Sequence, residues 1–199
     1  MSIAENYRII RDRMGEACAR AGRSVDEVTL LAVTKFVPVE RIAEAIAAGA
    51  DHVGENRVQE LTQKLEFFNN SGCRVHFIGQ LQTNKVKYII GKVHLIQSVD
   101  RPALAMELQR QAAARGVEQD VLIEVNIGGE EQKGGIACGE LSEFLKTIQD
   151  MPSLHVKGLM CIPPALSAEE ARPYFARMKE LYESIKADSF PICRFSPWA

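Results

Sequence analysis

Thr29-Leu30-Leu31-Ala32-Val33-Thr34-Lys35 is a β-type apolar run. Directly after it the period changes, and Pro38 opens a pattern in which Val39, Ile42 and Ile46 recur at helical spacing until Gly49. Proline suits the first turn of a helix and glycine the position past its end, so residues 29–49 read as one strand–helix unit. Upstream, Ser2 with Glu5 forms a capping box, and Ile3, Tyr7, Ile10, Met14 and Cys18 follow at helical spacing until Gly22. Downstream, strands are predicted near His52–Asn56, Arg74–Gln80, Val93–Val99, Val121–Ile127 and Val156–Ile162, each followed by a helix-like segment. Asp100 is expected to cap the helix that runs to Gly116. Ser167 with Glu170 is expected to open the last helix, which fades near Ala187.

Such alternation predicts an α/β fold with a parallel sheet covered by helices, either an open doubly wound sheet or a closed barrel. Periodicity does not choose between them. A chain of 199 residues suffices for one hydrophobic core, and no Ser/Gly/Pro-rich linker divides it. A (β/α)8 barrel typically takes about 250 residues, so unit counting alone favours the open sheet.

Composition narrows the function classes. Hydrophobic residues make up 46% and charged residues 25%, with a formal net charge of -2, which implies no bulk attraction to nucleic acid. The basic run Asn84-Lys85-Val86-Lys87-Tyr88, with Lys92 beyond it, reads as a solvated helix face over Val86, Ile89 and Ile90. Five scattered cysteines without metal-type pairing suit reduced thiols in a cytoplasmic protein with no metal site. The N-terminus enters a helix without the basic and apolar regions of a signal peptide, and no apolar stretch is long enough to span a bilayer. Neither Gly-x-Gly-x-x-Gly nor a P-loop occurs.

The distinctive polar residues fall at the carboxyl ends of the predicted strands: Lys35, then Glu55 and Asn56, Gln80 and Asn126, with Met160 ending the sixth. Strand carboxyl ends line the ligand crevice in either parallel architecture. A lysine emerging from Leu30-Leu31-Ala32-Val33-Thr34 is expected to be desolvated, which favours the neutral amine that attacks an aldehyde. Its bland alternative is a lysine snorkelling at a strand end.

Val33-Thr34-Lys35, Gly54-Glu55-Asn56-Arg57, Asn56-Arg57-Val58-Gln59-Glu60, His76-Phe77-Ile78-Gly79-Gln80-Leu81-Gln82-Thr83-Asn84-Lys85, Gly158-Leu159-Met160 and Ala171-Arg172-Pro173-Tyr174-Phe175 decide the matter. Together they resemble the pyridoxal phosphate homeostasis family, YggS-like proteins similar to the N-terminal barrel of alanine racemases. The resemblance runs from Met1 to about Lys186. It implies a TIM-type (β/α)8 barrel in which Lys35 holds pyridoxal 5'-phosphate (PLP) as a Schiff base. Asn56 matches a position that hydrogen-bonds the cofactor, and Met160 one that packs on it. Lys133, in Glu130-Glu131-Gln132-Lys133-Gly134-Gly135, matches a mobile loop cation that meets the cofactor or an incoming carboxylate. The bland readings are a strand-end cap, ordinary core and a solvated loop lysine, and for His76 a packed strand side chain.

Family members continue with a seventh strand ending in a Ser-Met-Gly-Met-Ser type motif and an eighth near Val-Arg-Ile-Gly, and neither occurs in this sequence. Residues 1–187 are therefore expected to form a PLP-binding barrel lacking about its last two strand–helix units. Residues 188–199 are read as a divergent tail from a truncated or frameshifted reading frame. Barrel phosphate sites commonly use the loops after strands seven and eight, so no residue is assigned to the cofactor phosphate.

The function implied is a non-catalytic carrier in the intracellular homeostasis of PLP, a monomer when complete, with apo-enzymes as recipients. Two alternatives stand beside it: a racemase-like PLP enzyme using Lys35, and a non-functional truncated product. Racemases of similar barrel take a second acid–base residue from another domain, and none follows the barrel motifs here.

Overall fold

Ser2 opens the first helix as its sequence dictates. Its hydroxyl accepts from the Glu5 N–H at 3.2 Å, while the Glu5 carboxylate accepts from the Ser2 N–H at 2.7 Å, satisfying two of the free donors at a helix start. The computed structural model describes residues 1–130 and 133–187, and the tail expected at 188–199 lies outside them. Two compact units are found, Met1–Ile78 and a second beginning at Gly79.

In the first unit, α1 (Ile3–Arg20) precedes β1 (Leu31–Val33), α2 (Val39–Ala47), β2 (His52–Glu55), α3 (Val58–Ser71) and β3 (Arg74–Phe77). The strands are parallel, with Leu31 opposite His52 and Val33 opposite Gly54, then His52 opposite Arg74 and Gly54 opposite His76. A side chain on Gly54 would meet Ile78 Cδ1 at 3.1 Å and Leu31 Cδ2 at 3.2 Å, so glycine is what lets these residues close over β2. Ile42, Val53, Leu61, Phe68 and Phe77 make the core, each at most 1% exposed. His76 is buried with its Nε2 2.8 Å from His52 Nδ1, which agrees with the packed reading of that residue.

The second unit contains α4 (Val86–Ile89), β4 (Leu95–Val99), α5 (Pro102–Arg115), β5 (Gln119–Glu124), α6 (Leu141–Ile148), β6 (Leu154–Met160) and α7 (Ala168–Ala187). Its strands are also parallel, with Val121 facing Ile96 on one side and Val156 on the other. Val86, Ile89 and Ile90 are buried while Lys85 and Lys87 lie over the Tyr88 ring, the solvated basic face that the spacing predicts. The Ser167–Glu170 box forms, with Glu170 N–H donating to Ser167 Oγ at 3.4 Å. Asp100 does not cap α5. Its carboxylate pairs with the Arg101 guanidinium, and the helix starts from Arg101 with Pro102 at its first position, where the fixed proline φ suits the turn without a side-chain cap. Among the described residues no helix is long and apolar enough to cross a membrane.

The observed strands stop short of several predicted ends. β2 ends at Glu55, β3 at Phe77 and β5 at Glu124, which leaves Asn56, Gln80 and Asn126 beyond the ladders. Asn126 shows why: its side chain donates to Glu130 O at 2.8 Å and accepts from Glu130 N–H at 3.2 Å, so it folds the loop back.

Candidate functional site

The predicted run Thr29 to Lys35 yields a strand only as far as Val33. Thr34 makes one more ladder bond, its N–H to Gly54 O at 2.9 Å, and then its carbonyl accepts from Val37 N–H at 3.0 Å. This closes a β-turn with Lys35 and Phe36 at its centre. Phe36 has φ +60, and it is the sole non-glycine residue with positive φ among the described residues. A positive φ at the third turn position is the type II signature, normally met by Gly or Asn, and for a side chain such as Phe it costs about 1–2 kcal/mol. Lys35 is exposed. The expectation that β1 would desolvate it is thereby corrected, because it sits in the turn and not in the strand.

Directly beneath the turn lies a charged cluster. Lys64 Nζ, on α3, donates to Thr34 O at 2.9 Å, Glu55 Oε1 at 2.9 Å and Glu60 Oε1 at 2.6 Å. Thr34 Oγ1 donates to the same Glu55 oxygen at 2.7 Å, and the Phe36 N–H donates to Glu60 Oε1 at 2.6 Å. Glu55 is fully buried and Lys64 is 8% exposed. The Arg57 guanidinium lies 4.8 Å from the Phe36 ring centre, a cation–π contact on the outer side of the turn. Each half of the turn is thus held by an ionised group, and charge-assisted bonds of this kind are roughly twice as strong as neutral ones.

Burial acts to raise the Glu60 carboxyl. The hydrogen bonds from Lys64 and from the Phe36 N–H, with the charges of Lys64 and Arg57, outweigh it and hold the group below its ordinary 4.5. Asn56 directly follows β2, the strand paired with β1, and its Oδ1 is buried without a hydrogen-bond partner. An orphaned acceptor of this kind in a native structure calls for an explanation, and a ligand donor is one.

Within the second unit, Met160 closes β6, and its carbonyl accepts from Val125 N–H at 2.8 Å. Lys133, read from the sequence as a mobile loop cation, lies in the loop after β5. Its Nζ is 2.5 Å from Glu130 Oε2 and donates to Pro163 O at 3.1 Å. Asp100 and Glu124 follow or end their strands, and a Cβ on Gly134 would lie 3.6 Å from Asp100 Oδ2 and from Glu124 Oε1. Burial pushes the Glu124 carboxyl up, and the Asp100 charge adds to the rise.

These two glutamates load the pH profile of stability in opposite senses. Glu60, with its folded value lowered, stabilises above the ordinary 4.5 and loses that contribution as pH falls through the lowered value. Glu124, with its folded value raised, favours the fold below 4.5 and loses that contribution as pH rises through the raised value. Denaturant unfolding against pH should therefore show Glu60→Gln losing ground to the parent above pH 4.5 and converging with it in acid. Glu124→Gln should gain on the parent as pH rises. Parallel curves for parent and variants would refute both assignments.

Lys35 and Asn56 follow β1 and β2, Met160 ends β6 and Lys133 lies in a loop, while Lys64 and its bonds to Glu55 and Glu60 are absent from the sequence reading. A signal existed. Lys64 falls on the buried stripe of α3 with Val58, Leu61 and Phe68, four residues after Glu60. A lysine on an apolar stripe with an i,i+4 glutamate is a buried-pair pattern.

Residues 2–197 match the family described as alanine racemase, N-terminal domain. The pyridoxal phosphate homeostasis protein of Aquifex aeolicus is 45% identical over 189 residues, covering 94% of this chain and 83% of that one. Its Escherichia coli counterpart is 38% identical over 195 residues, covering 92% and 83%. Synechococcus elongatus PipY, solved with PLP bound, superposes with a TM-score of 0.80 at 31% identity, covering 98% of this chain and 86% of that one. Alanine racemase from Corynebacterium glutamicum gives 0.70 at 18% identity, covering 96% of this chain and 51% of that one, a likeness of fold alone. The parallel strands alternating with helices are thus the alanine racemase N-terminal, TIM-type fold, and the chain belongs to the pyridoxal phosphate homeostasis protein family.

Proposed function

We propose that this protein binds PLP as a Schiff base on Lys35 and serves the intracellular homeostasis of that aldehyde as a carrier without turnover of its own. The carrying observation is the exposed Lys35 amine, set in a braced turn at the carboxyl end of β1 beside a strand end where the Asn56 Oδ1 is buried and unpartnered. A primary amine and an unfilled acceptor suit an aldehyde cofactor with a polar ring. Two relatives are named for PLP homeostasis, and PipY was solved with PLP bound. Lys35 would hold the cofactor through its amine, and PLP would supply there an aldehyde able to condense with a primary amine with loss of water. Asn56, with its buried acceptor beside that strand end, would orient the ring. Residues 1–187 form the binding domain, and apo-enzymes are the recipients.

Against turnover stands the fate of the carboxylates beneath the Lys35 turn. Glu60 is committed to Lys64 and Phe36, and Glu55 is sealed from solvent, so neither is free to move a proton at an amino acid Cα. Borohydride treatment of the PLP-loaded protein, which delivers hydride to the C=N carbon and fixes it as a secondary amine, should place the label on the Lys35 peptide. Lys35→Ala should abolish it. In heavy water the loaded protein should not sustain Cα proton exchange of amino acids. Label on another lysine with Lys35→Ala unaffected would overturn the site, and sustained exchange lost in Lys35→Ala would overturn the carrier reading.

A further inference from the structure

We infer that Glu60, clamped by the buried Lys64 ammonium, is a positioning residue that holds the Lys35 turn in its strained shape and so sets the attitude of the Lys35 amine. The inference rests on the reading of Lys35 as the cofactor lysine. Lys35 itself is exposed, so its aim comes from the main chain on either side. On the amino side, Thr34 is fixed through its N–H to Gly54 O, its carbonyl to Lys64 Nζ and its hydroxyl to Glu55. On the carboxyl side, Phe36 adopts φ +60 and gives its N–H to Glu60 Oε1 at 2.6 Å.

A non-glycine residue persists in this region only when its surroundings over-determine it. Glu60 and the Arg57 guanidinium over the Phe36 ring are the groups that do so. Glu60 is in turn aimed by Lys64 Nζ at 2.6 Å, one helical turn along α3, and Lys64 is also the group that holds Thr34 O. A single ammonium therefore ties both flanks of Lys35 together. Without Glu60, Phe36 has cause to relax to negative φ, which swings the plane of the peptide joining it to Lys35.

The test uses the whole chain and its Glu60→Ala, Glu60→Gln and Glu60→Ala/Phe36→Asn variants. Glu60 is partly exposed at 18% of its side chain, and its removal leaves Lys64 its Glu55 partner, so the fold is retained. At one subsaturating PLP concentration, Glu60→Ala should cut borohydride label on Lys35 about tenfold, the order of one charge-assisted hydrogen bond. Glu60→Gln, which keeps a neutral acceptor, should show about half of that effect on a logarithmic scale. Asparagine tolerates the left-handed region, so the double variant should recover most of the label. Without any cofactor, amide exchange should quicken at Phe36 and not through β2.

Equal labelling of parent and Glu60→Ala would overturn the inference. So would exchange that rises throughout β2 and α3, the mark of general loosening, or a double variant that stays unlabelled. An unlabelled Lys35 in the parent would instead remove the functional reading, and this inference with it. The parent arm therefore separates the two failures.

Discussion

Replacing Lys64 by Met should lower the unfolding free energy by about 3–5 kcal/mol, the usual consequence of removing one partner from a buried ion pair. Lys64 is 8% exposed and donates to three acceptors, Thr34 O, Glu55 Oε1 and Glu60 Oε1. Methionine fills much the same space, so little of the loss comes from a cavity. What remains is Glu55 at zero exposure, with one oxygen already lacking a partner and the other left with Thr34 alone. Chemical denaturation read by circular dichroism measures the loss. Adding Glu55→Gln should recover most of it, because the buried charge then disappears with its counter-ion. A cost below about 1 kcal/mol, the level of exposed pairs, would mean that water reaches the cluster.

Gly135→Ala should cost about 2–5 kcal/mol, combining backbone strain with overpacking. Gly135 has φ +106, and a Cβ there would stand 2.6 Å from Asn126 N and 2.8 Å from Val125 C, both main-chain atoms at the end of β5. Those atoms cannot yield, because the Asn126 N–H donates to Ile136 O at 2.9 Å and the Ile136 N–H to Glu124 O at 2.8 Å. The loop carrying Lys133 is therefore laid along the strand end at a distance that only glycine permits. Thermal unfolding compares the variant with Gly15→Ala, where α1 leaves open space around the added methyl and helix propensity favours alanine. A Gly135→Ala midpoint equal to that control would refute the close approach.

Much of this protein was legible in order along its chain. The alternation of period-two and period-3.6 segments, the capping boxes at Ser2 and Ser167 and the stop at Gly116 are local properties, and each took its expected structure. The motifs around Gly54 and His76 carried the family, which periodicity could not, since an open sheet and a barrel share the same local pattern. Lys35 and Asn56 fell at neighbouring strand ends for the same reason, as the boundary between an apolar strand and its loop is written in adjacent residues.

Three matters were settled only in three dimensions. Asp100 is as good a capping residue as any by sequence, yet its carboxylate finds Arg101, and proline starts the helix without it. Lys35 looked desolvated after five strand-type residues, but Thr34 turns the chain one step earlier because its carbonyl and hydroxyl meet Lys64 and Glu55, which lie 30 and 21 residues away. The pairing of Lys64 with Glu55, and the bond from Phe36 to Glu60 across 24 residues, depend on where β1, β2 and α3 come to rest. A sequence specifies which groups must be satisfied when buried. Which partner satisfies them is a property of the packed state, because the cost of burying a charge alone appears only after water has left.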